Sequence, residues 1–176
     1  MRTNRNALIT LLMVVALAIA PQCQSQTVTE QRVFDAETLA LDRPVVIPPE
    51  VLALLSKDSD VKQVSEANQG STSTIPKGWF SASQVSKGSS DEKLYLVIGN
   101  GPLAGAHGTT FWLVGNDKSS RRPAVLLKIT ADRLEIGKTG SFGYPEITAV
   151  RLTAKSMNDA VYHFVAGKYV LLHPAK

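Results

Sequence analysis

Residues 93–115 read KLYLVIGNGPLAGAHGTTFWLVG, and this stretch decides the fold class. Two short runs rich in β-branched and aromatic residues flank a glycine-rich segment, which is typical of two strands and a loop. Pro102 and the β-branched pair Thr109–Thr110 disfavour a helix after the glycines. The stretch therefore predicts consecutive antiparallel strands rather than the strand–helix–strand unit of a parallel sheet.

The same pattern extends to both sides of this stretch. Short apolar runs bounded by Gly, Asn, Asp, Ser or Pro follow one another, and no helical pattern of ten residues interrupts them. The predicted strands are 79–85, 93–98, 109–115, 124–130, 133–137, 146–154, 161–165 and 168–173. The expected fold is mainly β, an antiparallel meander that forms a twisted sheet or a small sandwich, with a short N-terminal helical segment.

The last predicted hairpin allows a residue-level register. Ala166–Gly167 fits a two-residue turn, in which glycine supplies the positive φ that such turns require. The pairs that follow are Val165–Lys168, Phe164–Tyr169, His163–Val170 and Tyr162–Leu171. Tyr162, Phe164, Tyr169 and Leu171 then share one face, which we expect to belong to the core.

After residue 25, the chain divides by composition into three segments. Residues 26–68 form an N-terminal helical arm, in which Pro49 suits the first turn of a helix and Val51, Leu54 and Leu55 follow at helical spacing. Residues 69–77 are rich in Gly, Ser, Thr and Pro and are expected to form a linker. The β-meander domain is expected to span residues 78–176.

Residues 1–25 are typical of a secretory signal peptide. Arg2 and Arg5 precede an apolar run over 7–20, and cleavage after Ser25 places small residues at the −3 and −1 positions. We expect an exported protein, periplasmic or secreted, with no stable membrane span after processing. Two alternatives stay open: the apolar run as a membrane anchor, although it is short for one, and a lipidated Cys23.

Removing the leader changes the charge and the cysteine content. The net charge falls from +4 to +2, because the leader carries two arginines and no acid. The single cysteine, Cys23, is lost as well, so neither a disulfide framework nor a cysteine-based zinc site is expected. Since no basic cluster exceeds Arg121–Arg122, nucleic acid is not an expected partner.

The glycine-rich loop is the candidate ligand-binding element. Its spacing is GxGxxxG rather than GxGxxG, and no helix follows, so it does not meet the requirements of a dinucleotide site. Loops held by rigid sheets nevertheless often carry binding residues. The predicted contact residues are Gly99, Asn100, Gly101, Gly105, His107 and Trp112. Trp79, Phe80, Trp112 and Tyr144 are candidate aromatic contacts if exposed, with core packing as the alternative.

No sequence pattern predicts a catalytic or metal centre. His107, His163 and His173 are not spaced with carboxylates as a ligand set, and His163 is expected to be a half-buried sheet residue. Residues 140–143 (GSFG) fall one residue short of a nucleophile elbow and precede Tyr144–Pro145 rather than a helix. We therefore assign no catalytic residue, no metal and no cofactor.

Four stretches together suggest a family resemblance. Residues 79–99 (WFSASQVSKGSSDEKLYLVIG) resemble the start of a VCBS/FG-GAP-type unit. Residues 99–114, 143–147 (GYPEI) and 162–170 (YHFVAGKYV) resemble, in the same order, a group of exported bacterial proteins of uncharacterised function. The resemblance covers residues 79–170 and implies no activity.

Two positions depart from the family pattern. Lys87 stands where a calcium loop would have acids, and only Asp91 and Glu92 supply carboxylates, so calcium is not expected there. Glu146 replaces the family's Asp, and we expect it to serve a turn.

Three functions remain as hypotheses. The first is a non-enzymatic exported β-domain that binds an envelope protein or glycan. The second is an envelope hydrolase that uses His107 as acid or base, and the third is an inhibitor of an envelope-directed enzyme. Whether the protein is an enzyme stays open, and the absence of a catalytic pattern favours a binding role.

Overall fold

The structure is a computed structural model that describes residues 32–38, 40–69, 75–76, 78–85, 93–105, 108–117 and 119–174. The predicted signal peptide and the candidate calcium loop at 86–92 lie outside these residues. His107 and most of the predicted linker also lie outside them.

The described residues form ten strands and two α-helices. The helices are α1 (Pro49–Leu55) and α2 (Ser59–Gln69). The strands are β1 (Val33–Asp35), β2 (Phe80–Val85), β3 (Leu94–Gly99), β4 (Ala104–Gly105), β5 (Gly108–Asn116), β6 (Pro123–Ala131), β7 (Arg133–Thr139), β8 (Pro145–Leu152), β9 (Met157–Val165) and β10 (Lys168–Pro174). The prediction of a mainly β fold is confirmed, and each of the eight predicted strands has a counterpart. The short strands β1 and β4 were not predicted.

The strands form two antiparallel sheets. The C-terminal sheet has the order β1-β7-β8-β9-β10. The central sheet contains β2, β3, β5 and β6 in that order, and β4 pairs with β5 beyond the end of β3. Most neighbours in each sheet are consecutive in the chain, as expected for a meander, whereas β1 reaches β7 across a long sequence separation.

The molecule has three layers, with the central sheet in the middle. Leu94, Leu96 and Ile98 of β3 pack in the core between the two sheets. Val97, from the opposite face of the same strand, packs in a second core with α1 and α2. Because both faces of β3 are covered, its sequence is an almost unbroken apolar run instead of an alternating pattern.

Asp58 joins the helices to the central sheet. Its carboxylate accepts a hydrogen bond from the backbone N–H of Asp60 at 2.9 Å, at the start of α2, as an N-cap does. It also accepts hydrogen bonds from Trp112 Nε1 at 3.3 Å and from Lys128 Nζ at 2.7 Å. Burial raises the pKa of Asp58, but the hydrogen bonds from Lys128 and Trp112 outweigh it and hold the pKa below its ordinary value.

Asp58→Asn is expected to lower the free energy of unfolding at pH 7 by about 1 kcal/mol, because asparagine keeps the cap but loses the charge that faces Lys128. A lowered carboxyl pKa stabilises the fold above the unfolded-state value, and this stabilisation is lost as the pH falls through the folded-state value. In urea unfolding, the difference in the free energy of unfolding between variant and wild type should therefore become smaller below about pH 4. Because the Asp60 carboxylate also pairs with Lys128 Nζ, at 2.8 Å, the control is Glu66→Gln, at an exposed position of α2. An equal difference at pH 7 and pH 3 would contradict the assignment.

The predicted register of the final hairpin is confirmed over all four pairs, from Val165–Lys168 to Tyr162–Leu171. Phe164 and Tyr169 are buried in the core, and Tyr162 packs partly against it. The prediction that Leu171 belongs to the core is wrong, because this residue is 45% exposed. It lies on the outermost strand of its sheet, opposite a tyrosine that is itself only half-buried, so the core ends before it.

Candidate functional site

The described part of the glycine-rich loop is tightly packed. A Cβ at Gly99 would lie 2.9 Å from Leu103 Cβ, and Leu103 is itself buried. Thr109 Oγ1 donates a hydrogen bond to the Gly99 carbonyl at 2.5 Å. Asn100 Nδ2 donates to Ser81 Oγ at 3.2 Å, and the Asn100 backbone N–H donates to the Trp79 carbonyl. These contacts hold the loop against the start of β2. Gly99 therefore has a packing role.

The second half of the loop forms a small hairpin. Gly105 on β4 pairs with Gly108 on β5. His107 lies between them in the sequence and outside the described residues. Gly101 has a φ of +53°, and an added Cβ would meet no atom within 4 Å. No described residue of the loop lines the pocket described below. Ligand binding by Gly99, Asn100, Gly101 and Gly105 stays a prediction.

Three of the four aromatic rings proposed as contacts are buried instead. Trp112 is 0% exposed, because it lies on the face of the central sheet that the helices cover. Trp79 belongs to the same core, and Phe80 packs edge-on against Trp112 at a ring-centroid distance of 5.6 Å. Tyr144 is buried in the core between the sheets. A direct ligand contact by Trp112 is thus ruled out in this conformation.

A chemically richer site lies at one end of the C-terminal sheet. The β7–β8 and β9–β10 hairpins meet there around a cavity of about 540 Å³, which we call the dyad pocket. Polar and aromatic groups both reach it, chiefly from Lys138, Thr139, Phe142, Glu146 and His163. Its volume lies within the range of small-ligand sites.

The pocket takes its name from the side-chain pair of Glu146 and His163. Glu146 Oε2 and His163 Nε2 form a side-chain hydrogen bond across neighbouring strands β8 and β9. Each side chain is about 40% exposed, so both groups remain accessible to a ligand. On the other side of Glu146 stands Gly137 of β7, where a Cβ would lie only 3.1 Å from Glu146 Cβ. The glycine therefore leaves room for the Cβ and the backbone carbonyl of Glu146.

Phe142 lies at the rim of the dyad pocket in an unfavourable conformation. Its φ is +65°, and its side chain is 68% exposed. A bulky residue with positive φ is a genuine outlier, and such strain concentrates at functional sites. The turn is closed by a hydrogen bond from the Gly140 N–H to the Tyr144 carbonyl at 2.8 Å. The chain thus holds an aromatic ring in solvent at a conformational cost.

Three aromatic side chains pack together beside the dyad pocket, and two of them line it. Tyr144 and Phe164 stack with ring centroids 3.6 Å apart. Tyr169 packs edge-on against both rings, and its hydroxyl donates a hydrogen bond to the Pro145 carbonyl at 2.9 Å. Burial, followed by the interaction with Tyr144, raises the pKa of Tyr169 far above its ordinary value, so this hydroxyl stays protonated as a donor. The hairpins that carry Glu146 and His163 are therefore fixed to each other.

The expected turn role of Glu146 is wrong. Glu146 is the second residue of β8, and it lies opposite His163 because Ile147 pairs with Tyr162 in the adjacent rung. The predicted pairing of His163 with Val170 is confirmed. No local sequence pattern predicts the register of β8 against β9, which brings Glu146 and His163 together. Exposed Phe142 was missed as well. The sequence signal for an exposed ring was an aromatic residue among glycines in residues 140–143 (GSFG). The prediction for this segment concerned only a nucleophile elbow.

The arrangement limits the chemistry available at the pocket. Glu146 is its one carboxylate among the described lining residues, whereas glycoside hydrolysis ordinarily needs two. Within the described part of the chain, no group of three or more His, Cys, Asp or Glu side chains could hold a metal ion. The lining offers a lysine, a carboxylate hydrogen-bonded to an imidazole, a hydroxyl and an exposed ring, which are groups suited to binding.

No protein-family model, no curated protein and no solved structure matches this chain. Among the described residues, neither helix has both the length and the apolar character needed to cross a membrane.

Proposed function

We propose that this protein is an exported β-sandwich domain that binds a glycan of the cell envelope in the dyad pocket. The observation that carries the proposal is Phe142, an exposed ring held at positive φ beside the Glu146–His163 pair. The proposal combines this site with export, which rests on the predicted signal peptide, and with the family resemblance of residues 79–170.

A sugar matches the groups that the pocket presents. Its hydroxyls can donate hydrogen bonds to the Glu146 carboxylate and accept them from Lys138 and Thr139. Its apolar C–H face can cover an aromatic ring, and burying an exposed ring is favourable. A cavity with a few polar groups and an apolar surface is the usual form of a small-ligand site.

Binding without hydrolysis fits this pocket better than catalysis. A glycosidase of the usual kind needs a second carboxylate on the other side of the scissile bond, and the described lining supplies only Glu146. The His107 hydrolase and the inhibitor hypotheses both rest on the glycine-rich loop, and no contact of the described residues favours them. They stay as predictions.

Phe142→Gly is expected to weaken glycan binding while leaving the fold as stable or more stable. Glycine adopts positive φ without strain, and the lost ring is 68% exposed. Binding to a printed array of hexose and N-acetylhexosamine oligosaccharides should fall at least tenfold, and thermal unfolding should shift upward or stay unchanged. Such opposite effects on stability and function are typical of a strained functional residue.

Glu146→Gln and Leu152→Ala complete this test. Glu146→Gln replaces the carboxylate of the pocket with a neutral amide and should weaken binding to the same oligosaccharides. Leu152→Ala removes a comparably exposed apolar side chain outside the pocket and should change nothing. If no oligosaccharide binds in a manner that depends on Phe142 and Glu146, the proposed function is wrong.

A further inference from the structure

The last strand of the C-terminal sheet, β10, lies at the edge of that sheet. The sheet has the order β1-β7-β8-β9-β10, and among the described residues β10 pairs with β9 alone. Val170 is 40% exposed, and Leu171 and Leu172 are each 45% exposed. Exposed apolar side chains on an edge strand favour pairing with a strand of another chain.

The turn that precedes β10 fixes which backbone groups face outward. Both residues of the Ala166–Gly167 turn have positive φ, +49° and +95°, as in a two-residue type I′ hairpin. In such a hairpin Val165 and Lys168 exchange hydrogen bonds, and bonded and non-bonded pairs alternate from there. The N–H and C=O groups of Tyr169 and Leu171 therefore point away from β9. Among the described residues, no backbone group bonds to them.

The middle of β10 lacks the features that usually keep an edge strand from pairing. Edge strands are commonly very short, or carry a charged residue or a proline in mid-strand. Residues 169–172 (YVLL) contain neither, whereas Lys168 and Pro174 lie at the two ends of the strand. The bulge in the pairing with β9 begins only after Leu171. At the opposite edge of the same sheet, β1 has three residues.

We propose that β10 pairs antiparallel with β10 of a second copy of this chain, around a two-fold axis at Val170. In this register Tyr169 of each copy faces Leu171 of the other, and each such pair exchanges two backbone hydrogen bonds. Because Tyr169 and Leu171 lie symmetrically on either side of Val170, the outward groups of one copy match those of the other. An edge that is complementary to itself favours a closed, two-fold dimer.

The side chains and charges suit the same register. The two Val170 side chains meet at the axis in a non-hydrogen-bonded pair, where side chains come closest. Leu171 lies opposite Tyr169 of the second copy and loses exposed apolar surface there. Lys168 lies opposite Leu172, so no like charges face each other across the strands. The leader-free chain has a net charge of only +2, which keeps repulsion between copies small.

The size of the edge sets the strength of the dimer. Since β10 has seven residues, pairing along it buries less than the ~1,000 Å² of a stable interface, and we expect a dimer that dissociates on dilution. Pairing would also bring the two dyad pockets together. Because His163 pairs with Val170, the two His163 residues would lie on one face of a continuous sheet, three strand spacings or about 14 Å apart.

Sedimentation velocity of the full chain, expressed with its own leader, tests the pairing from about 2 to about 500 μM. Wild type should shift from monomer to dimer over this range. Val170→Lys places two like charges opposite each other at the axis and should raise the dissociation constant at least tenfold. Val33→Lys is the matched control, because Val33 is 50% exposed on the opposite edge strand, β1, and it should behave as wild type.

A disulfide tests the register. Residues in a non-hydrogen-bonded pair have Cα atoms about 4.5 Å apart, a distance that a disulfide can bridge. With Cys23, the one native cysteine, replaced by serine, Val170→Cys should form a covalent dimer under mild oxidation at least tenfold faster than Val33→Cys. This second variant keeps a small side chain at the axis, so the test does not depend on how Val170→Lys folds.

Hydrogen exchange shows whether the edge is free in the monomer. The amide hydrogens of Tyr169 and Leu171 should exchange quickly in dilute protein and become protected as the dimer forms. The proposal is overturned if these amides are already protected in the monomer, which would mean that the chain covers its own edge. It is also overturned if wild type stays monomeric or forms open-ended assemblies, if Val170→Lys dimerises as wild type does, or if Val33→Cys cross-links as fast as Val170→Cys.

Discussion

Replacing Trp112 with alanine is expected to lower the free energy of unfolding by about 3–5 kcal/mol. Trp112 is completely buried between the central sheet and the helices, and Phe80 packs against its ring. The substitution removes this packing and leaves a cavity under both helices. It also removes the indole N–H that donates to Asp58, the residue that caps α2.

Urea unfolding monitored by circular dichroism measures this loss. Trp112→Phe keeps a ring in the core and should cost less than the alanine variant, because a smaller cavity is left. Leu152→Ala, at a position 57% exposed, should stay within about 0.5 kcal/mol of wild type. If Trp112→Ala were as mild as Leu152→Ala, the packing of the helices on the sheet would be wrong.

Gly108→Ala is expected to destabilise the protein by about 3 kcal/mol through two effects. Gly108 has a φ of +97°, where a side chain is strained. An added Cβ would also lie 2.6 Å from the Ala131 carbonyl oxygen, and that oxygen belongs to a backbone that cannot move freely. The clash would separate β5 from the end of β6, where Thr109 pairs with Ala131.

Gly167→Ala separates these two effects. Gly167 has nearly the same φ, +95°, but an added Cβ meets nothing within 4 Å. It should therefore show only the backbone strain, about 1 kcal/mol. The difference between the two variants in urea unfolding measures the clash at Gly108. Equal losses would show that β5 and β6 do not approach each other as closely as the structure places them.

The strands could be predicted because each is specified by its own residues. Apolar runs bounded by turn residues identify the eight main strands, and the Ala166–Gly167 turn fixes the pairing of β9 with β10. Strands β1 and β4 escaped prediction since they have only three and two residues. Their existence depends on a partner strand and not on a local pattern.

The candidate site could be predicted much less well. The glycine-rich loop attracted attention because its composition resembles that of ligand-binding loops, yet its glycines allow close packing at Leu103 and Ala131. The dyad pocket has no sequence motif. Glu146 and His163 are 17 residues apart in the chain, and they meet because the loop between β8 and β9 sets one particular register.

By itself, the sequence determined that this chain forms antiparallel strands, where most of them lie and how the last hairpin pairs, because those properties depend on residues close together in the chain. Only the tertiary structure decided which aromatic rings are buried and which one is exposed. It also decided that a glutamate and a histidine, distant in the chain, share a pocket. These properties arise when whole sheets and helices pack, because burial and pairing then depend on residues that are distant in sequence.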